Sequence, residues 1–174
     1  MLGALKRALH RWDIDGRIRR RGWTGIYVGD YRHAPSWAYT IGLLVTLGAP
    51  EIIVFDLPKP VADALLGEVF RQLKDGELVI RDGETWGDGD KPAAWRRVHP
   101  SQLANDEHPW LGLAETFDAI LMVRPREFEA FQLVLSDGQG CFPWDAGYDE
   151  RLRPLQPELY LPLEEAPPEG GAAR

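Results

Sequence analysis

The longest apolar stretch of the chain, AYTIGLLVTLGAPEIIVFDLP at residues 38–58, places the tightest constraint on the fold. Two glycines and a proline interrupt it and it contains an acidic residue, so it falls short of the ~20 apolar residues of a membrane helix. The stretch therefore predicts two buried strands joined by a turn. The second strand, EIIVFDL, is almost continuously apolar, which is typical of a central strand covered on both faces.

Two helices are predicted from apolar spacing and from end signals. Residues 2–13 carry apolar side chains at three- and four-residue intervals, which predicts a basic amphipathic helix that Asp15 and Gly16 end or bend. Pro58 and Pro60 open the second helix, and a glycine ends it. Its buried face is expected to carry Val61, Leu65, Val69 and Leu73, with Ala62, Leu66 and Phe70 alongside.

Strands are predicted on both sides of the second helix. Their segments are GWTGIYVGD, WAYTIGL, EIIVFDL, ELVIRDG, AAWRRVHP, DAILMVRP and FEAFQLVLSDG. Strands in series around one strong helix favour a single α+β domain with a mixed, mostly antiparallel sheet and one main packed helix. We expect the N-terminal helix at residues 1–21, the globular domain at 22–162, and a disordered acidic tail at 163–174, which is rich in Pro and Gly.

Composition narrows the setting and the kind of partner. The single cysteine, Cys141, excludes an internal disulfide framework and a cysteine-rich zinc site, and the four histidines are too scattered to form a metal site. A reduced cytoplasmic location is expected. Residues 1–21 contain seven Lys and Arg and two Asp, which gives this segment a charge of +5. Because the net charge of the chain is −7, the remaining residues together carry −12. No nucleic-acid partner and no membrane partner are expected.

A group of aromatic and polar residues forms the candidate site. Hydroxyl, amide and carboxylate groups within apolar strands need partners, because a buried unpaired polar group costs ~1–3 kcal/mol. They either satisfy one another or line a pocket. The pocket interpretation places ligand contacts at Trp23, Tyr39, Thr40, Gln132, Asp137 and Trp144. If there is catalysis, Asp137 or Glu51 is the expected general base and Tyr39 the donor.

The segment FPWDAGYDERLRPLQPEL, residues 142–159, has more apolar anchors than a disordered segment carries. Spaced anchors on a proline-rich chain predict an extended C-terminal wrap across the body of the domain. Trp144 and Asp145 then either form one wall of the pocket, or Trp144 fills that space as core.

Several separated motifs resemble those of one bacterial family, the domain of unknown function 4262. They are a GW strand, an AYTIGL strand, a Pro-Glu-Ile strand, and a C-terminal block with Gln132, Asp137, Phe142-Pro143-Trp144 and Gln156-Pro157. The resemblance spans roughly residues 20–160 and implies a small cytosolic protein with no established activity. Ser136 is a departure, because family members often carry proline before the aspartate.

Two further interpretations stay open. AYTIGL followed by PEIIVFDL is loosely similar to flavin-reductase-like split barrels, which implies a flavin cofactor facing Tyr39, Thr40 and Trp144. Alternatively, the chain is a protein–protein interaction module, for example an immunity or accessory protein, without a small-molecule site. Its expected anchors are then exposed tryptophans at Trp86, Trp95 and Trp110.

Overall fold

The computed structural model describes residues 13–29, 35–87, 89, 91–103, 110 and 128–163. These residues form one six-stranded mixed sheet in the order β1-β2-β3-β6-β5-β4. The strands are β1 (Thr24–Val28), β2 (Trp37–Ile41), β3 (Glu51–Phe55), β4 (Thr85–Trp86), β5 (Ala93–Arg97) and β6 (Ala130–Leu135).

One parallel pair lies at the centre of the sheet. β3 and β6 run parallel, with Ile53 opposite Gln132, whereas the other neighbouring strands are antiparallel. All five residues of β3 are buried, which confirms the prediction of a central strand covered on both faces. Because β3 and β6 are parallel, their carboxyl ends meet at the same edge of the sheet.

The described helices are α1 at residues 13–21, α2 (Leu43–Leu47), α3 (Lys59–Asp75) and α4 (Pro100–Leu103), with a 3-10 helix at Glu150–Leu155. α3 confirms the predicted main helix, and Gly76 ends it in a left-handed conformation with φ 74°. The exposed Val61 corrects the predicted buried face, which is centred on Ala62, Leu66 and Val69.

Two local predictions were wrong. The predicted turn between β2 and β3 contains α2, because Gly42 and Gly48 at its ends adopt left-handed conformations that start and stop one helical turn. The segment ELVIRDG contains no strand; Leu78 and Ile80 instead pack against the core as irregular chain. The helix of residues 13–21 passes through Gly16 without ending there.

Several predictions lie outside the described residues. They are the N-terminal helix before residue 13, the strand DAILMVRP, and all but the first residue of the predicted tail at 163–174. Among the described residues, no helix is long and apolar enough to cross a membrane.

Apolar clusters cover both faces of the sheet. On one face, Leu66 and Val69 of α3 pack against Ile52 and Leu133. On the other face, Ile14 and Ile18 of α1 join Tyr39, Ile53, Phe55 and Leu159. The result is a single α+β domain in which a helix layer lies on each face of the sheet.

The C-terminal segment forms the predicted wrap, but Glu150–Leu155 are a 3-10 helix and not the expected extended chain. Tyr148 and Leu159 are buried as anchors, and the N–H of His99 donates to the carbonyl of Leu159 over 2.8 Å. This segment therefore crosses the ends of β5 and β6 as part of the fold.

Candidate functional site

Glu51 is wholly buried and its carboxylate is engaged by the chain itself. Thr40 donates its hydroxyl to Oε2 over 2.5 Å, and the N–H groups of Gly42 and Leu44 donate to Oε1 over 2.8 and 3.2 Å. The Thr40 hydroxyl also accepts from the N–H of Ile52 over 2.8 Å. Glu51 thus satisfies the free N–H groups at the start of α2, and Thr40 links the ends of β2 and β3.

Burial raises the pKa of Glu51 above its usual range. The Thr40 hydroxyl and the backbone N–H groups of Leu44, Gly42 and Leu43 act in the opposite direction, because each stabilises the charged form. With these partners in place, the carboxyl group has a structural role in this geometry that does not depend on a substrate.

Gln132 and Gln156 form a reciprocal pair of amide clamps. Gln132 on β6 donates to the carbonyl of Pro157 over 2.7 Å and accepts from the N–H of Leu159 over 2.9 Å. Gln156 on the wrap accepts from the N–H of Leu135 over 2.7 Å and donates to its carbonyl over 3.0 Å. Each amide bonds backbone groups of the other segment, so residues 156–159 of the wrap are held to β6.

Asp137 organises the turn that follows β6. Its Oδ1 accepts from the N–H groups of Cys141 and Gln139 over 2.9 and 2.8 Å, and its Oδ2 accepts from the N–H of Asp149 over 3.0 Å. These hydrogen bonds lower the pKa of Asp137, and the bond from the N–H of Cys141 has the largest effect. A carboxylate held by three N–H donors is a poor proton acceptor, so this geometry favours a structural role.

Trp144 is 43% exposed, yet its ring has close neighbours. Phe142 stacks on the indole at 4.9 Å between centroids, and the Arg96 guanidinium lies 4.8 Å from its centroid. Arg96 also lies 4.4 Å from the centroid of the Tyr160 ring, so the cation joins two points of the wrap to β5.

Trp23 and Tyr39 lie on opposite faces of the sheet. Trp23 stacks on Phe70 of α3 at 5.6 Å, whereas Tyr39 is buried in the core beside α1. The structure therefore brings Thr40 to Glu51 and Gln132 to the wrap, but it does not gather the six predicted residues around one cavity. Their role in ligand binding stays a prediction.

A cleft does open at the carboxyl ends of the parallel strands β3 and β6. It has a volume of about 110 Å³. The apolar lining residues are Phe55, Leu135, Leu152 and Leu155, and the polar ones are Asp56, Ser136, Tyr148 and Gln156. Asp56 and Ser136 each follow directly on the last residue of a central strand.

Asp56 has an unusual backbone for a residue other than glycine. Its φ is 55°, which makes it the single non-glycine residue with positive φ in the described part of the chain. Asp56 is exposed overall, and desolvation of part of its carboxyl group raises its pKa. Aspartate tolerates the left-handed region better than most residues, so the strain is small.

The Ser136 hydroxyl is buried and has no hydrogen-bond partner among the described residues. Tyr148 is also buried, and its hydroxyl lies 3.5 Å from the amide nitrogen of Gln156, which is a long contact. The Ser136 hydroxyl thus leaves hydrogen-bonding capacity unused on the polar side of the cleft.

A family model described as Domain of unknown function (DUF4262) matches residues 17–149. The chain belongs to the DUF4262 family. Neither the curated proteins nor the solved structures contain a match to it. The resemblance seen in the sequence is thus confirmed, and the DUF4262 motif residues Thr40, Glu51, Gln132, Asp137 and Gln156 are bonded to the chain's own backbone or to one another.

The interaction interpretation placed exposed anchors at three tryptophans of this DUF4262 domain. Two of these expectations were wrong, since Trp95 is 1% and Trp110 8% exposed. Trp95 points into the core on the α3 face, and Trp110 packs edge-on against Phe55 at 5.2 Å. Trp86 is half-buried and its indole donates to Gln72 over 2.9 Å.

The cleft residues Asp56, Ser136 and Tyr148 were missed by sequence reasoning. A signal was present, since a polar residue directly follows each of two strongly apolar strands. This signal indicates a shared site only if the two strands are known to be parallel neighbours in the DUF4262 sheet. The spacing of residues in the sequence does not reveal that pairing.

Proposed function

We propose that this DUF4262 domain binds a small organic ligand in the cleft at the carboxyl ends of β3 and β6. The observation that carries the proposal is the combination of an apolar lining with a buried, unpartnered Ser136 hydroxyl among the described residues. Apolar area with a few polar groups is the usual composition of a ligand site. The end of a parallel strand pair is also a usual position for such a site.

The size of the cleft limits what it holds. A cavity of ~150 Å³ takes one benzene molecule, so 110 Å³ accommodates roughly five non-hydrogen atoms. At no more than about 1.5 kcal/mol per atom, such a group contributes roughly 7 kcal/mol, a Kd on the order of 10 µM at best. The ligand is therefore a small metabolite, or a larger one that places only its end in the cleft.

Ser136 connects the proposal to this particular chain. The resemblance noted above has proline at this position in many family members, which offers no hydroxyl. The position of the cleft follows from the shared fold, whereas a contact with the Ser136 hydroxyl would set the ligand preference of this member.

Ser136→Ala is expected to raise the free energy of unfolding by about 1 kcal/mol, because a buried hydroxyl without a partner is destabilising. Urea denaturation followed by circular dichroism measures it. Ser101→Ala is the matched control, because the Ser101 hydroxyl accepts from the N–H of Leu163 over 3.0 Å. That variant is expected to lose about 1 kcal/mol. A loss of stability in Ser136→Ala would mean that the hydroxyl has a structural partner.

Ser136→Leu is expected to remove a ligand that co-purifies with the protein, because the larger side chain fills the cleft. Native mass spectrometry of protein purified from its own cells would show the added mass in the wild type and in Val79→Leu, which adds bulk at an exposed position. If the filled variant kept the mass, or the wild type carried none, the proposed site would be rejected. A bound protein in place of a small mass would favour the interaction alternative.

A further inference from the structure

We infer that the group seated in the cleft is a primary ammonium ion on a short alkyl chain, so that the ligand is a small amine. The inference rests on the proposed function, since it names the chemistry of the ligand at that same site. It follows from the charge of the lining, the charge of the segment around it, and the kinds of hydrogen-bonding atom that the lining residues offer.

The lining carries one formal charge at neutral pH, and it is negative. Asp56 supplies the carboxylate, and none of the eight lining residues is Lys, Arg or His. An anionic ligand would find no countercharge in the cleft and would meet repulsion from Asp56. A cation would pair with that carboxylate.

The wrap that closes one side of the cleft is acidic as well. Residues 142–159 contain four carboxylates and two arginines. Both arginines are already paired: Arg151 binds Asp149 at 2.6 Å, and Arg153 binds Glu150 at 2.8 Å and Glu158 at 2.9 Å. Within this segment, no guanidinium is left over to receive an anionic group.

The hydrogen-bonding groups point to the same class of ligand. A primary ammonium has three donors and no acceptor. Asp56 offers only acceptors when ionised, and the hydroxyl oxygens of Ser136 and Tyr148 accept as well as donate. In a cleft of about 110 Å³, a bound group contacts the walls on all lined sides. The leucines of the lining then contact the alkyl stem of the ligand.

The experiment titrates the full chain with three probes of equal length: n-butylammonium, n-butanol and n-butyrate. Chemical shifts of the backbone amides of Leu135, Ser136 and Gln156 report occupation of the cleft in ¹H–¹⁵N spectra. We expect saturable shifts with n-butylammonium and a Kd at least about tenfold lower than that of n-butanol, which is the size of one charge-assisted hydrogen bond. Butyrate is expected to cause no saturable shift.

Asp56→Asn is the decisive variant, because asparagine keeps the side-chain volume and also tolerates positive φ. The tenfold preference for ammonium over butanol should vanish, while the affinity for butanol stays the same. Glu84→Gln, which removes an exposed carboxylate paired with Arg81, should leave all three titrations unchanged.

The outcomes separate the two proposals. If butanol or butyrate shifts the cleft amides as strongly as butylammonium, the cleft binds ligands but the ammonium inference is overturned. If none of the probes shifts them, both proposals fail. If butylammonium binds as well to Asp56→Asn as to the wild type, the attraction comes from elsewhere and the assignment to Asp56 is overturned.

Discussion

Replacing Glu51 by alanine is expected to lower the free energy of unfolding by at least about 3 kcal/mol, because three buried groups lose their acceptor. The change leaves the Thr40 hydroxyl and the N–H groups of Gly42 and Leu44 without their acceptor. Each such buried group costs ~1–3 kcal/mol, and α2 loses the group that satisfies its first turn. Urea denaturation monitored by circular dichroism gives the value.

Glu84→Ala is the control for this measurement. Glu84 is exposed and its pair with Arg81 spans 3.1 Å at the surface, so its removal should change stability by less than about 1 kcal/mol. A change of that small size in Glu51→Ala would show that the buried carboxylate is not what holds α2 against β2 and β3.

The pH dependence of stability is the second readout at Glu51. Because burial raises its pKa in the folded state above the usual 4.5, the folded protein keeps this proton at pH values where the unfolded chain has released it. The part of the stability that comes from this raised pKa is therefore complete below about pH 4.5 and is lost as the pH rises through the folded-state pKa. The stability of the wild type relative to Glu51→Gln should decrease as the pH rises. An increase would mean that the four hydrogen bonds outweigh burial.

Replacing Gln132 by leucine is expected to cost about 2–4 kcal/mol and to loosen the wrap. Leucine is close in volume, but it leaves the carbonyl of Pro157 and the N–H of Leu159 unpaired. Gln156→Leu should cost a similar amount, because both backbone groups of Leu135 lose their partner. Trypsin should then cleave after Arg151 more rapidly than in the wild type.

The double variant tests whether the two amides act as one clamp. If either change releases the wrap, the second has little left to break, and the combined cost is smaller than the sum of the two. Gln139→Leu, at an exposed position of the turn before the wrap, is the control and should alter neither stability nor cleavage. Additive costs with unchanged trypsin sensitivity would show that the two glutamines hold the wrap independently.

These predictions assign a structural reason to the polar residues that characterise the DUF4262 motifs. Thr40 and Glu51 join α2 to two strands, Gln132 and Gln156 bond the wrap to β6, and Asp137 holds the turn between them. The polar cleft residues whose side chains this framework does not use are Asp56 and Ser136. They lie beside this framework, so a ligand there would contact groups whose positions the framework fixes.

The flavin interpretation stays a prediction. The described strands form an open sheet with β1 and β4 at its edges, and the lining of the cleft has no cation for a flavin phosphate. An absorbance spectrum near 450 nm of the purified protein tests it directly.

The sequence alone determined the elements whose pattern is local. α3 follows from apolar spacing between Pro60 and Gly76, and β3 from an apolar run too short for a membrane helix. ELVIRDG shows the limit of this reasoning, because Leu78 and Ile80 pack against the core, partly buried, from irregular chain. Burial of an apolar side chain does not depend on which backbone delivers it.

Sequence also established that the polar groups within apolar strands need partners, since burying them alone is too costly. Only the tertiary structure decided which partners they have. Gln132 is bonded to backbone atoms of Pro157 and Leu159, 25 and 27 positions away. The same holds for the cleft, because the parallel pairing of Ile53 with Gln132 is what brings Asp56 and Ser136 to one edge of the sheet. Local spacing records which side chains share a face of one element, but pairing between distant strands depends on the packing of the whole chain.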